Sequence, residues 1–229
     1  MKISIKYLSA AIIFIGLASS CSTSKILKSE LNPHELEDIQ VFHPVSKIYH
    51  IDKGNRLEFN DSLSRTSKLL LLDILRQDQT LPWGEEIVAE DGYAQEVLND
   101  EIELLFHQTA NSKSKNLHQV GIPPMVTSLL AENNKRFGIL TATTGFNRRK
   151  GNYGGQVLKG VGIGILTMGM YYPVPVKASS FVEVIIVDND TREVVFFRRS
   201  QLPEAEPLNK VNLHRQLEAI FKGYIKNEI

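Results

Sequence analysis

The spacing of apolar positions changes three times along the 229 residues, and each change marks a different kind of element. Residues 38–43 (DIQVFH), 46–51 (SKIYHI) and 56–59 (RLEF) are short runs that mix β-branched, aromatic and polar side chains. Gly54 and Asn55 punctuate the last two, so a series of short strands is expected. From Asn60 the period becomes helical: Leu63, Leu70, Leu71, Ile74 and Leu75 share one face of a helix running to about Gln77. Asn60 or Asp61 caps it by accepting an orphan backbone N–H. A second helix is predicted near 93–109, with Ala94, Val97, Leu98, Ile102 and Leu105 on one stripe and Glu96, Asp100 and Glu101 outside it. A third starts at Pro123 or Pro124, where a missing N–H costs nothing in the first turn. It ends at Asn133 or Asn134 and buries Val126, Leu129 and Leu130.

The pattern then returns to strand. RFGILTATTGF (136–146) is rich in β-branched and aromatic residues, and SSFVEVIIVDNDTREVVFFRRS reads as two strands joined by a polar turn at Asp188 to Thr191. Within Phe181 to Val187 only Glu183 interrupts the apolar run, the signature of a central strand covered on both faces. A closing helix near 209–225 aligns Leu213, Leu217, Ile220, Phe221 and Tyr224, with Gly223 near its end. Strands interleaved with amphipathic helices predict an α/β or α+β fold, one domain with helices packed on a single sheet.

The amino-terminal residues follow another logic. Lys2 and Lys6 precede an apolar run from Leu8 to Leu17 broken only by Ser9, then come Ala18, Ser19, Ser20 and Cys21, the sole cysteine. That order is a secretory signal, and its apolar core of ten residues falls short of the roughly 20 that span a bilayer as a helix. Small residues just before a cysteine resemble the lipobox of bacterial lipoproteins, which implies cleavage before Cys21 and lipid attachment at its sulfur. Ala18 stands where leucine is common, with Leu17 one step further out. Ser22, rather than an aspartate, implies an outer-membrane destination. The expected organisation is a signal peptide over 1–20, a lipidated polar tether over 21–36 (up to about 50 Å when extended), and a globular domain over 37–229.

Removing residues 1–20 takes away Lys2 and Lys6 and no acid, leaving 24 Lys and Arg against 26 Asp and Glu. A balance so near neutral argues against a nucleic-acid partner held through phosphates. With Cys21 lipidated no disulfide is available. Stability must therefore come from the core, for which 42% hydrophobic residues suffice.

Seven of the 15 glycines fall between 151 and 169, in GNYGGQVLKGVGIGILTMGMYYPVPV. Each costs a helix about 1 kcal/mol relative to alanine, so an ordinary core helix is not expected. A phosphate cradle is disfavoured because Lys159 precedes Gly160 instead of following a glycine ahead of Ser or Thr. The Gly160, Gly162, Gly164 alternation likewise lacks the spacing of a dinucleotide turn. Close packing against the sheet is the simplest reading. The competing one is a membrane- or partner-facing surface, since Lys159 is the only charge from Val157 to Val176 and Met168, Met170, Tyr171 and Tyr172 supply adaptable apolar contact. Just upstream, Arg148, Arg149 and Lys150 with Tyr153 form a candidate anion- or partner-binding cluster, because guanidinium groups grip planar anions with paired hydrogen bonds.

Catalytic signatures are sparse. None of the six histidines pairs with another at i, i+4 around a glutamate; HELED at 34 lacks the second one. No Gly-x-Ser-x-Gly elbow occurs, so no catalytic residue, metal or cofactor is expected. Glu85, Glu86, Glu90 and Asp91 gather near Trp83 and Tyr93, a grouping open to glycoside hydrolysis. A solvated loop leading into a helix accounts for them equally well.

Residues 136–225 are similar to envelope lipoproteins related to the curli secretion component and the penicillin-binding-protein activators, where a strand ending in Val-Asp turns back into aromatic residues. Val187 and Asp188 match the first part and Arg192 to Phe197 the second, while Asp190-Thr191-Arg192 replaces a common Thr-Gly pair. The chain also resembles lipoproteins of diderm bacteria that carry the segment FNRRKGNYGGQ...KGVGIGILTMGMYYPVPVKA, a resemblance that implies no activity. The expectation is a non-enzymatic binding or accessory module in the cell envelope, held to the outer membrane by its lipid anchor, with an envelope protein or glycan as partner. The alternatives are a glycan-active hydrolase and an oligomer that inserts residues 151–176 into a membrane.

Overall fold

A computed structural model describes residues 26–28, 35–52, 56–77, 83–87, 92–149, 151, 154, 157 and 176–224. It shows an α+β domain in which four helices pack on one curled, mixed sheet. The strands are β1 (Ile26–Lys28), β2 (Ile39–Phe42), β3 (Val45–Ile51), β4 (Leu57–Phe59), β5 (Trp83–Ile87), β6 (Phe137–Arg148), β7 (Ala178–Asp188) and β8 (Glu193–Pro203). The helices are α1 (Asp61–Gln77), α2 (Gly92–Asn111), α3 (Pro124–Glu132) and α4 (Lys210–Phe221), with a 3-10 turn at Ser114–Gln119 between α2 and α3. Along the sheet the order is β1-β8-β7-β6-β2-β5, and β3 bridges β6 to β4.

The long antiparallel core β6-β7-β8 follows from its sequence. β7 lies between β6 and β8 and is buried along nearly its whole length, as its apolar run predicted. On one face Val182, Val184, Ile186 and Phe196 meet α1 and α4; on the other Ile185, Val187 and Phe197 meet α2 and α3. β2 and β3 both run parallel to β6, so they are two halves of one path. Pro44, which has no N–H for the ladder, separates them. Val41 pairs with Ile139 and Val45 with Ala142, four residues against three. This one-residue bulge exchanges the faces: Val41 joins the α1/α4 core and Val45 the α2/α3 core.

Helix ends obey local chemistry. Asn60 caps α1 by accepting from Leu63 N at 3.0 Å. Asn209 caps α4 by accepting from Val211 N and Asn212 N, and Glu101 of α2 reaches across to accept from Met125 N in the first turn of α3 at 2.9 Å. At the other end of α4, Arg198 donates to the carbonyls of Ile220 (2.8 Å) and Lys222 (2.7 Å), which suits a cation at a helix carboxyl terminus. Gly223 follows at φ +75°. The buried Gln216 bonds the Ser180 and Ser200 carbonyls and the Ser180 hydroxyl, fixing α4 over β7 and β8.

Two elements depart from the sequence reading. Residues 83–87 are a strand parallel to β2, not a solvated loop. Gly84 permits the approach, because a Cβ there would lie 2.7 Å from Asp38 Oδ1 and 3.2 Å from the Ile39 carbonyl. Ile26–Lys28, inside the stretch read as tether, pairs antiparallel with β8.

Close approach is tighter still at Gly145 in β6, where a Cβ would sit 2.3 Å from the Ser179 carbonyl oxygen and 2.9 Å from Pro207. Gly145→Val is expected to cost about 2 kcal/mol through overpacking, read as a lower urea midpoint at unchanged slope. Burial drives the Tyr224 phenol up to about 12. A raised folded pKa makes the unfolded chain release its proton first, so stability present below pH 10 falls as pH climbs from 10 towards 12, by at most about 2–3 kcal/mol. Urea titrations at pH 9 and 11.5 on the native chain and Tyr224→Phe check this; the variant should lose less.

Candidate binding cleft

Glu183, the polar interruption in β7, lies in a cleft between α2 and the sheet. Pairing places it opposite Ala142 on β6 and Arg199 on β8, and Ala142 opposite Val45 on β3. These four residues form one row across four strands on the α2 side of the sheet. Here α2 draws away from the strands, and a cleft of about 430 Å³ opens, walled by Glu103, Phe106, His107, Ala110 and Asn111 of the helix and floored by Val45, Lys47, Ala142, Thr144, Glu183 and Arg199. Such a volume suits a small ligand or a few residues of a peptide.

Both signs of charge line this space. The Glu183 residue is 8% exposed and is neutralised by Arg199, whose Nε and Nη2 donate at 2.8 and 2.5 Å. Both bonds fall on Oε1, so the pair does not use both carboxylate oxygens as a two-pronged fork would. Across the cleft Lys47 pairs with Glu103, whose carboxylate raises the lysine pKa. Val45, Phe106, Ala110 and Ala142 supply apolar floor and wall between the two pairs. A second groove of about 610 Å³, between α2 and the start of α3, has Glu101 as its one ionisable residue, and that carboxylate is engaged with Met125 N.

The residues singled out in the sequence lie elsewhere. Arg148 and Arg149 stand at the far end of β6; Arg148 Nε donates to the Val176 carbonyl at 2.6 Å and Arg149 pairs with Asp52 at 3.1 Å. Cys21, Lys150 and Tyr153 lie outside the described residues, as do Glu90, Asp91 and most of 151–176. Glu86 on β5 contacts His43 and Arg76. Burial, with Lys68 nearby, lowers the His43 pKa despite that carboxylate. Through Val41, Glu86 is level with Ile139 of β6, whereas Arg148 lies nine residues on, about 30 Å along the strand. The arginines and this acid therefore do not share a site. Among the described residues no group of three His, Cys, Asp or Glu side chains is placed to hold a metal, and no helix is long and apolar enough to cross a membrane.

Asp188, the acid of the Val-Asp pair, is structural. It is 1% exposed, takes Arg136 at 2.8 Å and accepts from Asp190 N at 3.0 Å, closing the β7–β8 turn. Glu183 and Arg199 were not singled out as a site. Their signal was present: an acid in an otherwise apolar central strand and the second of the two arginines that follow the aromatic pair in the return strand.

No protein family and no curated protein matches the sequence. Among solved structures the chain is similar to the PelC dodecamer from Paraburkholderia phytofirmans (8% identity, 90% of this chain and 99% of that one, TM-score 0.41). It is also similar to a DUF4136 family protein from Bacteroides thetaiotaomicron (9% identity, 90% and 98%, TM-score 0.33) and to the LpoB C-terminal domain from Salmonella enterica (6% identity, 76% and 87%, TM-score 0.29). At TM-scores this low the likenesses carry no inference about the chemistry or partners of this chain.

Proposed function

We propose that this chain is a lipid-anchored, non-enzymatic binding module of the bacterial cell envelope, fixed at the outer membrane through Cys21, whose cleft between α2 and the sheet receives a segment of an envelope protein. The observation that carries the reading is the Glu183–Arg199 pair set into the apolar face of the sheet beside Lys47 and Glu103. A peptide segment brings an apolar body for Val45, Phe106 and Ala142, N–H donors for Glu183, and carbonyl or carboxylate acceptors for Arg199 and Lys47. Ion pairs already made inside the cleft hold these groups in place, so a ligand finds them preorganised.

Two experiments test it. Intact-mass analysis of the native protein should find residues 1–20 absent and a diacylglycerol on the sulfur of Cys21; an intact amino terminus or a bare thiol would refute the anchor. Crosslinking in intact cells followed by pull-down should recover one discrete envelope protein, and His107→Trp, which fills the cleft mouth from an exposed helix position, should abolish its recovery. Background proteins only, or equal recovery with the variant, would refute the cleft.

A further inference from the structure

Four charged side chains line the cleft between α2 and the sheet, and their charges cancel. Lys47 and Arg199 are positive, Glu103 and Glu183 negative; His107 on the helix wall is the remaining ionisable residue of the lining. Each cation is already paired with an acid, Arg199 with Glu183 and Lys47 with Glu103. The cleft therefore has no net charge to offer an ion.

Both pairs nonetheless keep bonding capacity. Arg199 directs Nε and Nη2 at a single oxygen, Glu183 Oε1, so Nη1 and Glu183 Oε2 have no hydrogen bond among the described residues. Neither atom is among the polar atoms buried without a partner, so both are open to the cleft that their residues floor. Glu103 likewise bonds Lys47 through Oε2 only, which leaves its other oxygen. Thr144, opposite Lys47 on β6, adds a hydroxyl to the same floor. Each pair thus presents a donor beside an acceptor.

That arrangement matches a neutral group carrying both functions. A ligand carboxylate drawn to Arg199 would lie against Glu183, and an ammonium drawn to Glu183 would lie against Arg199. Either ion gives up water to sit beside its own sign, which offsets the new contact. A primary amide meets no such opposition, because its carbonyl accepts from Arg199 Nη1 while its N–H donates to Glu183 Oε2. Between the two pairs the lining is apolar, with Val45 and Ala142 below and Phe106 on the wall. β7 and β3 flank β6, two strand spacings or about 10 Å apart, which three extended residues span. Aliphatic side chains suit that strip, whereas a sugar would leave hydroxyls unpaired against it.

We infer that the cleft selects an uncharged peptide segment. An Asn or Gln amide sits on Glu183 and Arg199, apolar residues cover Val45 and Ala142, and a second neutral polar group about three residues on meets Lys47 and Glu103. The inference rests on the cleft reading proposed above and narrows its ligand.

Fluorescence anisotropy on the full chain in detergent tests it, with probes that carry an uncharged dye. They are the peptide acetyl-Gln-Val-Ala-Gln-amide, its counterparts with Glu or with Lys at both ends, and a neutral N-acetylglucosamine trisaccharide. The uncharged peptide should bind at least about tenfold more tightly than either charged one, and His107→Trp should abolish its binding. Glu183→Gln keeps an acceptor for Arg199 but removes the negative charge, so it should move the preference to the acidic peptide. A charged peptide that binds the native chain as well as the neutral one, and is lost with His107→Trp, overturns the neutral ligand and leaves the cleft reading standing. Preference for the trisaccharide overturns it as well and directs the cleft to a glycan. An unchanged order in Glu183→Gln, binding that His107→Trp leaves intact, or binding of no probe also overturns it, while the crosslinked partner reports on the cleft reading independently.

Discussion

Phe196→Ala is expected to remove about 3–5 kcal/mol of stability, the cost of emptying a large aromatic site in a packed core. Phe196 is fully buried between the sheet and α4. Its ring stacks on Tyr224 with centroids 4.4 Å apart and lies 6.4 Å from Phe221. The lost ring thus forfeits both burial and two aromatic contacts. In a domain of this size the melting temperature should drop by roughly 10 °C or more. A second readout is specific to the stack. Water reaching the cavity should bring the Tyr224 phenol down from about 12 towards its ordinary value, visible as a shift of its ultraviolet titration to lower pH. A loss under about 1 kcal/mol would mean that α4 does not dock where the structure places it.

Arg199→Ala should cost about 3 kcal/mol, because it strands the Glu183 carboxylate in the sheet face without its partner. The lower end of the range applies, since the Arg199 side chain is 37% exposed against 11% for Glu183 and water partly screens it. Replacing both members, as Glu183→Leu with Arg199→Met, should restore most of the stability. The four proteins of that cycle separate structure from function. If the pair serves only to stabilise, the double variant keeps its crosslinked partner; if it receives a ligand, the double variant is stable and loses it.

Much of the architecture was legible in the chain. The helical stripes of α1, α2 and α4 are present because apolar residues at i, i+3 and i+4 leave one face to bury. All five residues assigned to the α4 stripe, from Leu213 to Tyr224, are buried. The β7–β8 hairpin was equally plain, since an apolar run, a polar turn and a second run have few alternatives. What escaped reading were elements whose local sequence is weak. WGEEI has a glycine and two acids in five residues and becomes a strand only because β2 offers a parallel edge. Ile26–Lys28 is a strand because β8 has an unfilled edge beside it.

The cleft was the least legible part. Glu183 and Arg199 are 16 residues apart, and they face each other only in the register of the hairpin, which shifts between Ile186 and Val187. Lys47 meets Glu103 across 56 residues on a face that the bulge at His43 and Pro44 selects. A one-residue change of register sends every following side chain to the opposite face. Periodicity reports which positions are apolar, not which strand lies alongside.

The sequence by itself determined the amphipathic helices and the central hairpin, because each is encoded by neighbours within a few turns or one strand pair. Tertiary structure alone decided that β2 and β3 share one partner strand and that Glu183, Arg199, Lys47 and Glu103 line a single cleft. Those facts depend on pairing between distant segments, whose register is set by the whole sheet and its two cores.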